Sequence, residues 1–169
     1  MGLLLLSCSP GGVRPEGELF PEESLQVLPP QLAVKVWVRL LDSAGTPRAE
    51  VTADTAWVLP ERDQTVLRGH VQARFFRSGE LVGQLSADSA RVEERSGLMA
   101  AFGRVVARSH PEGRSLQTTE LWWDRQRQQF FSSAPVTITT PTEVIEGVGF
   151  EASHDLQTYR VFRVRGRRQ

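Results

Sequence analysis

The sequence has little of three things that would define a site or a membrane span: cysteine, histidine and long apolar runs. Its single cysteine, Cys8, excludes an internal disulfide and a cysteine-based metal centre. The three histidines, His70, His110 and His154, lie far apart and none stands at a metal-ligand spacing to a carboxylate, so we interpret them as surface residues. No apolar stretch reaches the 18 residues that a membrane-spanning helix needs.

Lysine is nearly absent, because only one of the 20 basic residues, Lys35, is a lysine. The 169-residue chain has zero net charge, and five arginines without any acid fall in its last ten residues, 160–169. A protein that binds nucleic acid in bulk is basic across a whole face. The charge distribution therefore argues against a nucleic-acid partner, and the length fits a single domain.

What the sequence does have is a repeat. The pattern Val51-Thr-Ala-Asp54-Thr-Ala56-Trp-Val58 returns at 85–92 and 116–123 and, more faintly, at 145–150. The copies begin 34, 31 and 29 residues apart, yet the spacing inside the first three copies is fixed. A fixed internal spacing with variable spacers indicates one supersecondary unit that is repeated.

Each copy has the pattern of a β-hairpin. In the first copy, apolar and polar residues alternate from Val51, a polar turn covers 60–63, and a second alternating arm runs from Leu67 to Phe75. The alternation shifts by one residue at Thr55, which predicts a β-bulge. No run of 11 or more residues favours a helical period, so the predicted fold class is all-β.

The ends of the chain differ in composition from the repeats. Residues 1–8 resemble the end of a bacterial lipoprotein signal, although no basic residue precedes the apolar run, and we expect a signal remnant with an acylated Cys8. Residues 9–31 are rich in Pro, Gly and Glu and are predicted to be a tether. The β domain is predicted over 32–164, followed by a basic tail over 165–169.

The sequence contains no recognisable catalytic set. It has no Gly-rich phosphate loop, no nucleophile elbow and no Cys/His pair. Asp54 and Asp88 recur at one position of the repeat, which could suggest paired carboxylates for acid–base work. The third copy has Thr119 at that position, and recurrence within a repeat favours a structural role. We therefore expect no enzyme activity, no cofactor and no metal.

Two stretches near the C-terminus resemble a known family. They are Phe131-Ser-Ser-Ala-Pro135-Val-Thr-Ile138, and Ile145-Glu-Gly147-Val-Gly149-Phe150-Glu-Ala152 followed by Asp155-Leu156-Gln-Thr-Tyr159. They are similar to the LptC family of lipopolysaccharide-export proteins in the LptA/LptC/OstA superfamily, whose members carry a Pro-Val-x-Ile strand, a Gly-x-Gly-(Leu/Phe)-x-Ala segment and an Asp-Leu-x-x-Tyr. The resemblance covers roughly residues 32–164. Familiar members have an N-terminal transmembrane helix, which a lipid on Cys8 would replace here.

The resemblance implies a twisted, open antiparallel β-roll or jelly-roll in the periplasm, built from the repeated hairpins. Its interior would receive the acyl chains of lipopolysaccharide. The implied role is non-enzymatic: lipid arrives from the permease subunits of an inner-membrane ABC transporter and passes to an LptA-like periplasmic protein by edge-strand pairing. The protein would be held at the inner membrane by the lipid on Cys8.

On such a fold, strand parity predicts which side chains point into the lipid trough. Most of them lie on the second arms of the hairpins and in the third and fourth copies. The expected lipid-binding residues are Val71, Phe75, Val105, Leu121, Trp123, Phe130, Val136, Ile138, Phe150 and Tyr159.

Two functional alternatives remain open on the sequence alone. One is a soluble LptA-like bridge protein, which differs chiefly in having no anchor. The other is a structural β-repeat or adhesin-like protein without lipid cargo.

The last strand, predicted over Tyr159–Val164, forms one edge of the sheet. It contains no proline and is expected to pair with a partner. Alternatively, the tail from Arg165 folds back and covers it.

Overall fold

The computed structural model describes residues 29–124, 126–127, 129–153 and 155–168. The predicted signal remnant with Cys8, nearly all of the predicted tether, and His154 lie outside these residues. The described chain forms nine β-strands: β1 (Gln31–Leu41), β2 (Pro47–Leu59), β3 (Gln64–Arg77), β4 (Glu80–Glu93), β5 (Leu98–Ser109), β6 (Arg114–Asp124), β7 (Gln129–Thr139), β8 (Val144–Ser153) and β9 (Tyr159–Arg168).

The strands form one open sheet in which every strand pairs antiparallel with its neighbours in sequence, from β1 to β9. The predicted all-β class with an open antiparallel sheet is confirmed. The first repeat copy is the β2–β3 hairpin, whose connection is a short 3-10 turn at Pro60–Arg62. Within the described ranges, no helix is long and apolar enough to cross a membrane.

A line of irregular pairings runs across the sheet from β2 to β8. The register shifts between Thr52 and Thr55 on β2, as the change of phase in the sequence predicts, and at the same level in each following strand pair. Bulges increase the local bend and twist of a sheet. Because these are aligned, they form a crease that divides the sheet into two halves.

The repeated aspartates stabilise this crease. Asp54 lies against Gly69 and contacts the His70 imidazole, with 2.7 Å between Oδ2 and Nδ1. Asp88 lies against Gly103 in the same way and accepts hydrogen bonds from the Arg104 backbone N–H at 3.0 Å and from its guanidinium. The guanidinium hydrogen bonds hold the pKa of the Asp88 carboxyl below its ordinary value. The recurrence of Asp54 and Asp88 therefore has a structural explanation, as the sequence suggests.

Replacing Gly103 by alanine should destabilise the protein through this contact. Gly103 has φ +93°, and a Cβ there would lie 2.3 Å from Asp88 Oδ2. We expect Gly103→Ala to lower the free energy of unfolding by roughly 1–3 kcal/mol for the backbone conformation, plus the cost of moving the carboxylate. Gly79→Ala is the matched control in urea titrations, since φ is +81° there and no atom lies within 4 Å. Equal losses in the two variants would contradict the packing role of Asp88.

The two halves of the sheet face each other across the crease. We refer to the end of the sheet that holds the β3–β4 turn as its lower end and to the opposite end as its upper end. Phe75, at the lower end of β3, contacts Phe130, at the upper end of β7, with ring centroids 6.5 Å apart. The Tyr159 hydroxyl at the start of β9 donates a hydrogen bond to Glu143 in the β7–β8 turn at 3.4 Å. Both pairs join opposite ends of the strands, so the sheet folds over its own interior face. This explains how a single sheet buries Phe150 and Leu116 completely.

The N-terminal edge strand, β1, departs from regular alternation. Lys35 adopts φ 53°, and this residue breaks the pairing between Val34 and Val36. Val36 lies opposite interior Ala53, whereas Val34 lies opposite Thr55 and is 66% exposed. Val34 and Val36 therefore lie on opposite faces, because the left-handed residue between them interrupts the alternation.

An ion cluster on the outer face joins β1 to the next two strands. The buried Glu50 carboxylate of β2 accepts a hydrogen bond from the Arg39 Nε of β1 at 2.9 Å and also pairs with Arg74 of β3. The hydrogen bond from Arg39 is the main reason why the pKa of Glu50 lies below its ordinary value. A carboxylate with a lowered pKa stabilises the fold above its ordinary pKa and loses that contribution on acidification.

The C-terminal edge strand is longer than expected. β9 continues to Arg168, and its last residues pair with Val144 and Ile145 of β8. Residues 165–168, predicted as part of a basic tail, are strand instead, because β8 offers them backbone partners. The chain to Arg168 therefore does not fold back over this edge. Phe162 and Val164 are 50% and 58% exposed on it.

Candidate functional site

The interior face carries an unbroken row of apolar side chains that crosses eight strands. Directly opposite residues in neighbouring strands place their side chains on the same face. The row runs through Val38, Val51, Ala73, Leu85, Ala107, Leu116, Ile138 and Ile145, one from each of β1 to β8. At about 4.8 Å per strand it spans up to roughly 34 Å.

A second apolar row lies on the other side of the crease. It passes through Ala33, Ala56, Leu67, Ala90, Ala101 and Leu121, from β1 to β6. Since the two halves face each other, these rows form the two walls of one apolar interior. A hydrocarbon chain needs no polar partner, so an apolar interior between two such walls is the environment that it requires.

The structure places all ten predicted lining residues on this interior face. Seven of them are almost completely buried: Val71, Val105, Leu121, Phe130, Val136, Ile138 and Phe150. The other three, Phe75, Trp123 and Tyr159, are half-buried. Phe130 contacts two of the ten, with ring centroids 4.9 Å from Trp123 and 6.5 Å from Phe75. The contact between Phe75 and Phe130 spans the interior, whereas Trp123 is the direct cross-strand neighbour of Phe130. Lipid binding by these ten residues stays a prediction.

The interior is lined by smaller side chains in the N-terminal half than in the C-terminal half. Its buried side chains on β2 to β5 are mostly alanine, whereas those on β6 to β8 include Leu116, Leu121, Phe130, Ile138 and Phe150. Sequence reasoning missed the alanines as lining residues because it searched for large apolar side chains. The strand alternation does indicate these alanines, since Ala53, Ala56 and Ala73 stand at positions that face the interior.

Both ends of the apolar interior reach an edge of the sheet. On β1, Val38 and Leu40 lie opposite Val51 and Ala49 and yet remain 44% exposed. On β9, Val164 lies opposite Gly147, whose β7 partner is the buried Val136. The interior face therefore continues to both edges, where its side chains meet solvent. The exposed β1 end was not anticipated from the sequence.

Comparisons with known proteins identify a family and a similar fold. The family described as "Lipopolysaccharide-assembly, LptC-related" matches residues 20–168. Among solved structures, a similar one is the crystal structure of LptH, the LptA homologous periplasmic component of the conserved lipopolysaccharide transport device from Pseudomonas aeruginosa. It shares 13% sequence identity, with a TM-score of 0.55 over 68% of this chain and 82% of that one. At that identity the likeness shows the fold alone. No curated protein sequence matches.

Proposed function

Since this chain belongs to the LptC-related family of lipopolysaccharide-assembly proteins, we propose that it is a non-enzymatic periplasmic carrier of lipopolysaccharide acyl chains. The observation that carries the proposal is the apolar interior face, on which one row crosses the eight strands from β1 to β8 and apolar side chains are exposed on both edge strands. Burying a methylene is worth about 0.8 kcal/mol, so a carrier must cover the hydrocarbon along its length. A continuous apolar face meets that requirement.

The proposed path leads from one sheet edge to the other. Lipid enters from the permease subunits of an inner-membrane ABC transporter and leaves towards an LptA-like periplasmic protein. Transfer between two similar apolar interiors changes the free energy little, so no catalytic group is needed, and the direction comes from the transporter. Among the described residues, no group of three His, Cys, Asp or Glu side chains could hold a metal ion.

The family match, which is to the LptC-related family, favours the anchored role over the soluble bridge. In this proposal, a lipid on Cys8 holds the protein at the periplasmic face of the inner membrane. Two or more acyl chains are needed for stable anchoring. Mass spectrometry of the native N-terminus tests this part separately, and an unmodified Cys8 in an aqueous fraction would contradict it.

Lipopolysaccharide binding by the purified protein tests the carrier function. We expect the molecule stripped of its acyl chains to bind at least a hundredfold more weakly, because burying only four methylenes corresponds to about 3 kcal/mol, or roughly a hundredfold in Kd. Equal affinities would show that the protein recognises the saccharide. No binding of either form would favour a structural β-repeat without lipid cargo.

A further inference from the structure

The turn before β9 crosses from one rim of the apolar interior to the other. Residues 155–158 follow β8 at the upper end of the sheet, yet they contact the lower ends of β3 and β6. Arg77 at the end of β3 forms an ion pair with Asp155 at 3.1 Å. Arg114 at the start of β6 donates hydrogen bonds from Nη1 to the carbonyl oxygens of Leu156 and Gln157, both at 2.8 Å.

The same turn inserts a side chain into the interior. Leu156 is only 4% exposed and belongs to the buried apolar cluster. Its backbone has φ 56°, a conformation that is strained for leucine. The strain and the burial of one leucine side chain are of similar size and opposite sign. The closed turn therefore depends on its fastening by the two arginines.

Leu156 occupies apolar space of the kind that an acyl chain would fill. The crease closes one side of the interior, and this turn bridges the opposite side, where the two halves of the sheet meet only through their ends. An acyl chain that follows the proposed path from edge to edge passes beneath this bridge. A chain that settles inside competes with the Leu156 side chain for the same contacts.

We propose that residues 155–158 are a latch across the side of the interior opposite the crease, fastened by Arg77 and Arg114 and displaced when lipid enters. The inference rests on the proposed carrier function and adds the regulation of its site. When the latch opens, Leu156 leaves the strained backbone conformation and the acyl chain takes its place. When the lipid leaves, the two arginines close the interior again and cover its apolar surface.

The kinetics of lipopolysaccharide uptake test the latch on the full chain. We expect Arg114→Gln to speed association at least fivefold in stopped-flow measurements with fluorescent lipopolysaccharide. Arg108→Gln is the matched control, because Arg108 is an exposed arginine of β5 six residues away and does not contact the turn. Its association rate should equal that of the original protein. Binding with the same rate in both variants would overturn the latch and leave the carrier function intact.

Hydrogen exchange of the unaltered protein gives a second test that no loss of folding can confound. Adding lipopolysaccharide should speed exchange of the amides in 155–158 about tenfold, while the amides of β7 keep their protection. Ligands usually slow exchange where they bind, so this direction is specific to displacement. Slower exchange in the turn would overturn the latch. Absence of any binding would instead overturn the carrier function on which it rests.

Discussion

Charging the exposed side chains of β9 should strongly weaken binding of the proposed LptA-like partner while the protein stays folded. Phe162→Glu and Val164→Glu alter two residues that are half exposed or more on the edge strand. Charge on an edge strand is the device by which natural sheets prevent strand addition. Each lost cross-strand pair removes up to about 1 kcal/mol, and a carboxylate forced into the new interface adds a desolvation cost. Together these predict a loss of roughly tenfold to a hundredfold in affinity.

Point changes are a sharper test here than removal of the strand. Tyr159 and Val161 of β9 pack against the buried cluster, so truncation before β9 would uncover Phe150 and confuse partner loss with unfolding. Val34→Glu on β1 is the matched control, because Val34 is an exposed apolar residue of the other edge strand. It should leave binding of the LptA-like protein unchanged. Loss of binding with Val34→Glu and not with the β9 variants would place the exit at the opposite edge.

The hairpins, the bulge near Thr55 and the interior position of the ten candidate residues could be predicted from the sequence. Strand alternation has a period of two, so a change of phase at Thr55 can only mean that the strand bends or adds a residue. The repeated Asp and Gly positions then mark the same bend in successive hairpins. Local patterns of this kind need no knowledge of distant contacts.

Features that depend on the folded sheet could not be predicted. The Arg114 side chain meets the Leu156 carbonyl across 42 residues of sequence, and only the fold of the sheet over its interior brings them together. Trp122 is a comparable case on the outer face. The sequence predicts that Trp122 and Trp123 point to opposite sides, but not that Trp122 stacks on Phe131 and lies under Arg91. The C-terminal end of β9 was missed because an arginine-rich segment lacks apolar alternation.

In the proposed carrier, acyl chains lie on the interior face and not on the outer one. Phe130 and Phe131 offer a matched pair for testing it, because they are adjacent aromatic residues of β7. The Phe130 ring contacts Trp123 inside, and the Phe131 ring contacts Trp122 outside. A photo-reactive phenylalanine analogue at either position replaces a ring by a ring, so the two variants should fold alike.

Photo-crosslinking to lipopolysaccharide in cells that run the export machine is the direct measurement. We expect the probe at Phe130 to capture lipopolysaccharide at least tenfold more efficiently than the probe at Phe131, because apolar burial is continuous only on the interior side. Capture from Phe130 should also disappear when the transporter is inactive, since lipid would no longer be delivered. Equal capture from both positions, or capture from Phe131 alone, would contradict the interior path.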